Sequence, residues 1–447
     1  MFLQATMMMA QRGIPTIEIN TAESTPIDSK EEYVNASIKI KNCPPQYGII
    51  NDSCKIRGRG NATWKDYPKK PYKIKLYNKQ NLLGFPANKD WVLLAEYNDK
   101  SLLRTSYMCE VSKALEMAYT VNYQHVELTL NGEYLGVYVL TDQVERAKDR
   151  VNIEDDGFLI EDDNYYDREP LFFTSVLDYN YTFKYPNANK ANIVKDDDNY
   201  LFIKNFIDEM ENSLQAIPYD SDTYKNYIDI ESFAKWYIAN EVLGNWEPNL
   251  FYVLPSRESK LKMMPLWDAE WSLGLACKGN EQRADGWYLR PHESPSDIYL
   301  WKNRKYFQYL TKDPYFNEIV NNEWNKFKEN LETVKGAILS KQQEIQEVQQ
   351  RNFDKWPIMG KYIIAVMLVA FPTWQEEVEY AANYFEQRIQ WLDINLNSST
   401  TKVNMVIENK TNGLVYTLNG NRINPSNASS YPIIIKNGKT YFNSHSR

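Results

Sequence analysis

Two carboxylates stand two residues apart in the segment PLWDAEWSLG, residues 265–274. The apolar run before them predicts a β-strand, and the period of two in an extended chain turns Asp268 and Glu270 to one face. Such a pair is suited to bind a divalent metal ion. An isolated acidic pair at a strand end is more often a solvated turn, so the chemistry depends on what lies nearby.

A second acidic cluster lies upstream in the segment GNWEPN, residues 244–249. It follows an apolar-periodic run that predicts a helix over residues 231–243. The segment places Glu247 between Asn245 and Asn249, whose side-chain oxygens can serve as ligands or as orienting groups. Residues 251–264 predict a hairpin between the two acidic clusters, and such a hairpin allows both clusters to converge on one site.

Composition limits the classes of function. The length of 447 residues allows two or three packed units at about 150 residues per domain. A net charge of -8 disfavours a nucleic-acid platform, because binding to phosphate backbones requires a basic surface. Four Cys without C-x-x-C spacing and three His argue against a zinc site. Cys43 and Cys54 bracket a loop and would form a disulfide outside the cytoplasm, or else remain two thiols.

Hydropathy gives no membrane-spanning segment, because no run of 18 apolar residues occurs. The longest apolar run, residues 363–371, predicts a buried core helix. Residues 1–13 are apolar and end in small or polar residues, and we interpret them as the remnant of a signal peptide whose beginning is missing.

The order of patterns predicts an α+β protein. Residues 14–163 are mostly strand-like, with a hairpin at Asn131-Gly132, a dipeptide that favours a type I′ turn. A helix over residues 100–119 interrupts the strands and is expected to lie across the sheet. Helical patterns dominate the rest of residues 164–396.

A linker near Asn397 opens the last region, residues 397–447. Two short strand pairs with turns at Asn419-Gly420 and Asn437-Gly438 predict a small β unit there.

One stretch carries a specific resemblance. Residues 56–76 read IRGRGNATWKDYPKKPYKIKL, which resembles the G-R-G-N-S/T-T-W and P-K-K-P-Y-x-I-K-L signature of the CotH kinase family. Further motifs of that family occur in the expected order: WVLLAEYNDKSLLR, VELTLNGEYLGVYVLTDQVE, DRVNI, NWEPN and LWDAEW. The resemblance covers residues 14–396.

The resemblance implies an atypical protein kinase that transfers the γ-phosphoryl group of ATP to a Ser or Thr of a secreted or surface protein, with Mg²⁺ or Mn²⁺. It implies a protein-kinase-like two-lobe fold, with a β-rich N-lobe and a helical C-lobe, followed here by the small C-terminal β unit.

Several residues of the N-terminal region match positions that such chemistry needs. The nucleotide-binding candidates are a loop that can present N–H groups to phosphate, two lysines at family positions and a helical glutamate placed to pair with a lysine: Gly58, Gly60, Asn61, Lys70, Lys75 and Glu110. Lys73 falls at a position where the family varies.

The predicted helical C-lobe, residues 164–396, supplies the acidic groups. Asp268 matches the metal-binding aspartate, and Glu270 and Asn249 are further candidate metal ligands. Glu247 is the candidate carboxylate that accepts the proton of the substrate hydroxyl or orients it, so Glu247 and Asp268 are the candidate catalytic residues.

Three departures from the family pattern leave other functions open. Glu270 replaces a usual Asp, Ala269 replaces a bulky aromatic residue, and LFYVLPS after Asn249 lacks the Pro-Lys-Ser step of some relatives. A non-catalytic binding or adhesion module on the same fold is the main alternative. A glycoside hydrolase using Glu247 and Asp268 is another, but it leaves the GRGN and KKPY segments without a role.

The C-terminal unit is similar to the sorting domains of the type IX secretion system of Bacteroidetes, through Y-x-L-N-G-x-R-I followed by G-K-x-Y. This similarity implies secretion machinery as a partner and a secreted or cell-surface location. The protein substrate is not identified by the sequence.

Overall fold

The computed structural model describes residues 13–43, 51–190, 192–275, 284–290 and 306–401, together with the strands of a small sheet beyond residue 414. Two compact units are present, one ending at Arg388 and the other beginning at Ile389. The first unit is a mixed α+β structure, β-rich in its N-terminal part and mainly helical after it, as the sequence predicted.

Seven strands of the first unit close into a barrel in the order β1-β2-β3-β4-β5-β7-β6. Neighbouring strands are antiparallel, except that β1 pairs with β6 in parallel. The strands are β1 Thr16–Thr21, β2 Val34–Lys41, β3 Asn51–Gly58, β4 Tyr72–Gln80, β5 Asn88–Leu94, β6 Tyr123–Leu130 and β7 Glu133–Asp142. The turn between β6 and β7 has positive φ at Asn131 and Gly132, which confirms the predicted hairpin.

Alternation along the strands decides what faces the barrel core. Ile56, Ile74, Leu93 and Leu140 are buried members of that core. Their chain neighbours therefore face outward, since successive side chains of a strand point to opposite sides. The outward neighbours form one row across four strands, in the order Arg57, Lys73, Val92 and Thr141. This row brings two cations onto one face of the barrel.

A second sheet of five strands follows the barrel, in the order β12-β11-β8-β10-β9. Its strands are β8 Phe158–Asp162, β9 Phe172–Thr174, β10 Asn180–Tyr185, β11 Leu250–Leu254 and β12 Lys262–Met263. The antiparallel pair of β11 and β12 confirms the hairpin predicted between the acidic clusters. Because β8 pairs with β10 and β11, the domain boundary predicted after residue 163 runs through this sheet.

Nine helices occur among the described residues: α1 Ala62–Asp66, α2 Arg104–Ala114, α3 Asp198–Gln215, α4 Ile230–Leu243, α5 Phe307–Leu310, α6 Pro314–Glu329, α7 Leu331–Ile345, α8 Gln349–Lys355 and α9 Trp374–Thr401. α4 ends where Gly244 adopts the left-handed conformation, and α6 begins at Pro314 after the capping Asp313. α2 packs against α4 and α7, while Tyr123 of β6 donates a hydrogen bond to its Glu110.

The helix predicted over residues 363–371 is wrong. This segment is irregular and closes as a loop, with the Gly360 N–H bonded to the Phe371 carbonyl at 2.7 Å. Its apolar side chains pack around Leu275 and Met367. The run is rich in β-branched residues and stops at Pro372, so it is too short to propagate a helix.

Cys54 is a free thiol inside the barrel, where burial raises its pKa to about 12. A disulfide between Cys54 and Cys43 is therefore not formed, in agreement with the two-thiol interpretation. Cys277 lies outside the described residues, as do all but the last residue of the signal-peptide remnant predicted at residues 1–13.

The second unit contains a four-stranded sheet in the order β14-β13-β15-β16. Its strands are β13 Val415–Tyr416, β14 Arg422–Ile423, β15 Ile433–Lys436 and β16 Lys439–Phe442. The antiparallel pairs agree with the predicted strand pairs, while both Asn-Gly turns lie outside the described residues. In the part of the chain that the structure covers, no helix has the length and apolar character to cross a membrane.

Two glycines with positive φ test how α8 docks on the barrel. A Cβ on Gly136 would overlap Asn352 of α8, whose Oδ1 accepts a hydrogen bond from the Val137 N–H, whereas a Cβ on Gly132 meets no atom within 4 Å. We expect Gly136→Ala to lower the free energy of unfolding by about 2–4 kcal/mol, from strain plus overpacking. Gly132→Ala, the matched control, carries only strain and should cost about 1 kcal/mol. Urea denaturation measures both, and equal losses would contradict this packing.

Candidate functional site

A cleft of about 560 Å³ lies between the outer face of the barrel and the second sheet. The barrel side and its loops contribute mostly cations: Arg57, Arg59, Gly60, Asn61, Lys69, Lys73 and Glu96. The opposite side contributes mostly acidic and amide groups: Glu161, Asp163, Lys184, Glu247, Asn249, Asp268 and Glu270. Sequence segments nearly 200 residues apart thus meet across one concave surface.

Six of the predicted site residues line this cleft: Gly60, Asn61, Glu247, Asn249, Asp268 and Glu270. The four other predicted residues are not among its lining: Gly58, Lys70, Lys75 and Glu110. The predicted acidic and amide residues are therefore brought together, whereas four of the six predicted nucleotide-binding residues, including both lysines, do not line the cleft.

Asp268 and Glu270 reach the cleft by a route that differs from the prediction. β12 ends at Met263, and Asp268 has a φ of +61°, so the pair lies in a turn and not on an extended strand. Burial raises the pKa of Glu270 to about 8, with a further contribution from the Asp268 charge. Desolvation by the surrounding protein raises the pKa of Asp268, although this residue remains solvent-exposed, while the charge of Arg59 lowers it.

Arg59 is the cation of the glycine loop that faces this acidic pair. Burial lowers its pKa, and the charges of Asp268, Glu270 and Glu161 oppose that effect. The guanidinium lies 5.7 Å from the centre of the Trp267 ring. Arg59 therefore links the basic and acidic walls electrostatically, in a cleft where reduced solvent screening strengthens such interactions.

The second sheet supplies a charged wall around Asn249. Lys184 Nζ lies 2.7 Å from Glu161, and burial raises the pKa of Glu161. The Asn249 side chain also bonds to Glu161, which lowers that pKa. Asn249 Oδ1 is buried and has no hydrogen-bond partner among the described residues. An amide oxygen left in this state is available to a ligand.

The turn after α4 sets the position of Glu247. Asn245 is buried, and its amide donates to Asn240 Oδ1 at 3.2 Å. Its own Oδ1 accepts a hydrogen bond from the Glu247 N–H at 3.3 Å. Of the two roles open to Asn245, ligand or orienting group, these contacts correspond to the second.

Gly58 and Lys70 shape the loop beside the cleft without lining it. A Cβ on Gly58 would overlap the Trp64 ring, so this position has no room for a side chain. Lys70 Nζ donates a hydrogen bond to the Trp64 carbonyl. Gly60, with a φ of +84°, and Asn61, which accepts a hydrogen bond from Lys30 at 3.2 Å, are the loop residues that reach the cleft.

Two lysines of β4 differ although both pair with Asp90. Lys73 lines the cleft with a side chain 17% exposed, 3.2 Å from Asp90. Lys75 is 47% exposed and 3.7 Å from the same carboxylate, away from the cleft. Lys73 on β4 lies opposite Arg57 on the neighbouring strand β3, and Arg57 also lines the cleft. Only the register of the barrel strands reveals this row of cations.

Lys69 and Glu96 are two buried ionisable residues of the cleft lining that sequence reasoning missed. Lys69 Nζ donates to the Val137 carbonyl and to Asn352 Oδ1, and burial lowers its pKa to about 7 while Glu96 raises it. Glu96 accepts a hydrogen bond from Thr105 at 2.9 Å, and burial raises its pKa. Glu110, the predicted lysine partner, bonds instead to Lys113 and Tyr123. Lys69 and Glu96 both lie within the family motifs, and this position in the sequence could have identified them as candidates.

The oxygen ligands of the cleft suit a hard divalent cation whose coordination is completed by phosphate oxygens. Among the described residues, no group of three or more His, Cys, Asp or Glu side chains has the geometry of a metal site. Asp268, Glu270 and the unpartnered Asn249 oxygen provide two carboxylates and an amide. Mg²⁺ is typically held by one or two carboxylates, with water and substrate phosphates completing its coordination. The residues present therefore fit such an ion.

A comparison with family models identifies the family of the chain. The model of the CotH kinase protein family matches residues 56–392, which is most of the chain. The chain therefore belongs to the CotH kinase family. A search of the curated proteins found no match.

The depressed pKa of Lys69 predicts a pH-dependent stability. The folded pKa of about 7 lies below the ordinary value of 10.5, so between these values the unfolded chain binds a proton that the folded chain does not. Wild-type stability relative to Lys69→Met should then rise with pH across that window, by at most about 1.4 kcal/mol per pH unit. Urea denaturation at several pH values measures the difference.

Lys39→Met, at an exposed position of β2, controls for the loss of one positive charge in the same pH series. A difference between wild type and Lys69→Met that stays constant from pH 7 to pH 10.5 would contradict the assignment.

Proposed function

We propose that this chain is a metal-dependent protein kinase that transfers the γ-phosphoryl group of ATP to a Ser or Thr hydroxyl of a secreted or surface protein. The observation that supports it best is the meeting of the barrel cations with Asp268, Glu270 and Asn249 across one cleft. Membership of the CotH kinase family supports the same chemistry. Phosphoryl transfer needs cations on the phosphates, a metal ion and a carboxylate near the attacking hydroxyl.

The proposed nucleotide position follows the charge distribution of the cleft. Arg57, Arg59 and Lys73 lie on the barrel side, where they would neutralise the phosphate charges. Asp268, Glu270 and Asn249 would hold Mg²⁺ or Mn²⁺, which supplies further neutralisation of the transferred group. The cleft volume of about 560 Å³ lies within the usual range for a small-molecule site.

Glu247 is the proposed acceptor of the hydroxyl proton. In the transfer, the substrate oxygen forms a bond to the γ-phosphorus as the bond to the β,γ-bridging oxygen breaks, and ADP leaves. The hydroxyl proton passes to the Glu247 carboxylate. The hydrogen bond from the Glu247 N–H to Asn245 fixes the backbone that presents this group.

A two-lobe organisation like that of protein kinases is part of the proposal. The seven barrel strands lie between residues 16 and 142, and the second sheet begins at residue 158. The chain therefore passes once from the barrel to the second sheet, through residues 143–157. A single connection beside a nucleotide cleft would let the two parts close around ATP.

The C-terminal unit is proposed to direct secretion through a machinery that recognises its small sheet. Its four short strands, β13 to β16, support the resemblance to sorting domains. The secreted or cell-surface location and the protein substrate belong to this proposal as well.

Loss of the Asp268 charge tests the metal role. Asp268→Asn keeps the size of the side chain but removes a carboxylate ligand, so we expect autophosphorylation to fall by at least about 100-fold. Transfer of label from γ-³²P-ATP in the presence of Mg²⁺ or Mn²⁺ measures it. Asp155→Asn removes a carboxylate that is almost fully exposed and controls for loss of charge.

Near-normal autophosphorylation by a folded Asp268→Asn variant would contradict the proposed metal-binding role of Asp268. If wild-type protein gains no thermal stability from ATP with either metal ion, the non-catalytic binding module becomes the better explanation.

The two lysines of β4 test where the phosphates lie. Lys73→Ala should weaken Mg²⁺–ATP binding by about tenfold, because this cation faces the cleft and a charge near phosphate in a partly dry site is weakly screened. Lys75→Ala is the matched control, since it shares the strand and the Asp90 partner but lies outside the cleft. Isothermal titration calorimetry gives both affinities. An equal effect of the two variants would place the phosphates elsewhere.

A further inference from the structure

We propose that Arg104, held by Asp99, is a positioning residue that fixes the turn carrying Asp268 and Glu270 for binding of a nucleotide–metal complex. We call residues 268–273 the carboxylate turn and residues 98–104 the clamp. The inference rests on the proposed function, and it concerns residues that do not line the cleft and have no assigned role.

The guanidinium of Arg104 reaches the backbone of the carboxylate turn. Its Nε donates to the Ser272 carbonyl at 2.8 Å, and Nη2 donates to the Leu273 carbonyl at 3.3 Å. These carbonyls follow Glu270 by two and three residues. Two donors from one planar group restrict both the position and the tilt of the turn, which a single flexible donor would not do.

Asp99 fixes the direction in which Arg104 points. Its Oδ1 pairs with Arg104 Nη1, and its Oδ2 accepts the Arg104 N–H at 2.7 Å. The same carboxylate accepts the Ser101 N–H at 3.0 Å and the Ser101 hydroxyl at 2.6 Å. The carboxylate therefore has four donors, one of which is the N–H of Arg104, the first residue of α2.

The clamp also contacts the carboxyl group itself. Asn98, next to Asp99, donates from Nδ2 to Glu270 Oε1 at 2.7 Å. Asn98, Asp99 and Arg104 are all fully buried. One short segment thus holds the carboxylate turn from two sides, at the side chain of Glu270 and at the backbone after it.

The opposite side of the clamp is anchored to the start of α9. Lys100 Nζ lies 3.6 Å from Glu377 and donates to the Lys361 carbonyl at 2.6 Å. The Trp374 indole donates to the Ser101 carbonyl at 3.0 Å. These contacts connect the clamp to the body of the first unit, so it acts as a fixed support for the turn.

Stability alone is a weak reason for such buried charges. Desolvation of a buried ion pair offsets most of its attraction, and a well-packed apolar group often stabilises a fold as well or better. A charged group whose donors end on one turn is instead suited to fix geometry. The expected loss from disturbing it is therefore in ligand affinity.

Arg388 offers a matched control elsewhere in the first unit. It is also fully buried and pairs with the buried Glu241, 3.0 Å away. It too donates to backbone carbonyls, including that of Glu241 at 2.8 Å and that of Ala284 at 3.0 Å. None of these partners belongs to the carboxylate turn.

The experiment compares Arg104→Lys with Arg388→Lys in the full chain. Lysine keeps the positive charge but lacks the planar pair of donors. Binding of Mn²⁺ with ATP is followed by electron paramagnetic resonance of free Mn²⁺, and melting temperature is measured without ligand. We expect both variants to lose thermal stability, and only Arg104→Lys to lose about tenfold or more in Mn²⁺–ATP affinity.

Asn98→Ala provides a second test that spares the buried charges. It removes the donor to Glu270 and should weaken Mn²⁺–ATP binding severalfold, even if Arg104→Lys does not fold. Unchanged affinity in a folded clamp variant, or an equal loss in Arg388→Lys, would overturn the inference. Failure of the wild-type chain to bind Mn²⁺–ATP would instead overturn the proposed function on which it rests.

Discussion

Opposite charges that are only partly screened from one another face each other across the cleft. Asp268 and Glu270 lie close enough for the charge of one to raise the pKa of the other, and Arg59 opposes this effect from the barrel side. Desolvation makes an uncompensated charge costly, so opposite charge on the facing wall, or on a ligand between the walls, favours the charged form of each group. A polyphosphate with its divalent ion satisfies both walls, because it presents anions to the cations and a cation to the carboxylates.

The two sides of the cleft position their charged groups in different ways. On the barrel, the register of four strands aligns Arg57 and Lys73 on one outward row, so regular structure places the cations. In the C-terminal part, Asp268 stands in a turn with positive φ, which needs support from residues distant in sequence. Asn98 supplies such support by bonding to Glu270. The longer Glu side chain, a departure from the family pattern, is the group that receives this contact.

The sequence was sufficient to predict features that depend on residue type and local spacing. Strand alternation, the Asn131-Gly132 turn and the acidic motifs around Glu247 and Asp268 follow from local chemistry, and all of them appear in the structure. Closure of the barrel and the change of sheet at β8 depend on pairing between distant strands, which no local pattern specifies. The sequence does not distinguish among Lys69, Lys70, Lys73 and Lys75 for the same reason: only the register and the packing of α8 decide which of them reach the cleft.

The most direct test of a nucleotide and metal site in this cleft is a crystal structure with Mn²⁺ and a non-hydrolysable ATP analogue. Anomalous scattering locates Mn²⁺ independently of the protein geometry. We expect an anomalous peak within about 2.5 Å of an Asp268 carboxylate oxygen, with the phosphates between that ion and Arg59. A nucleotide bound outside the cleft, or Mn²⁺ bound without any contact to Asp268 and Glu270, would contradict it.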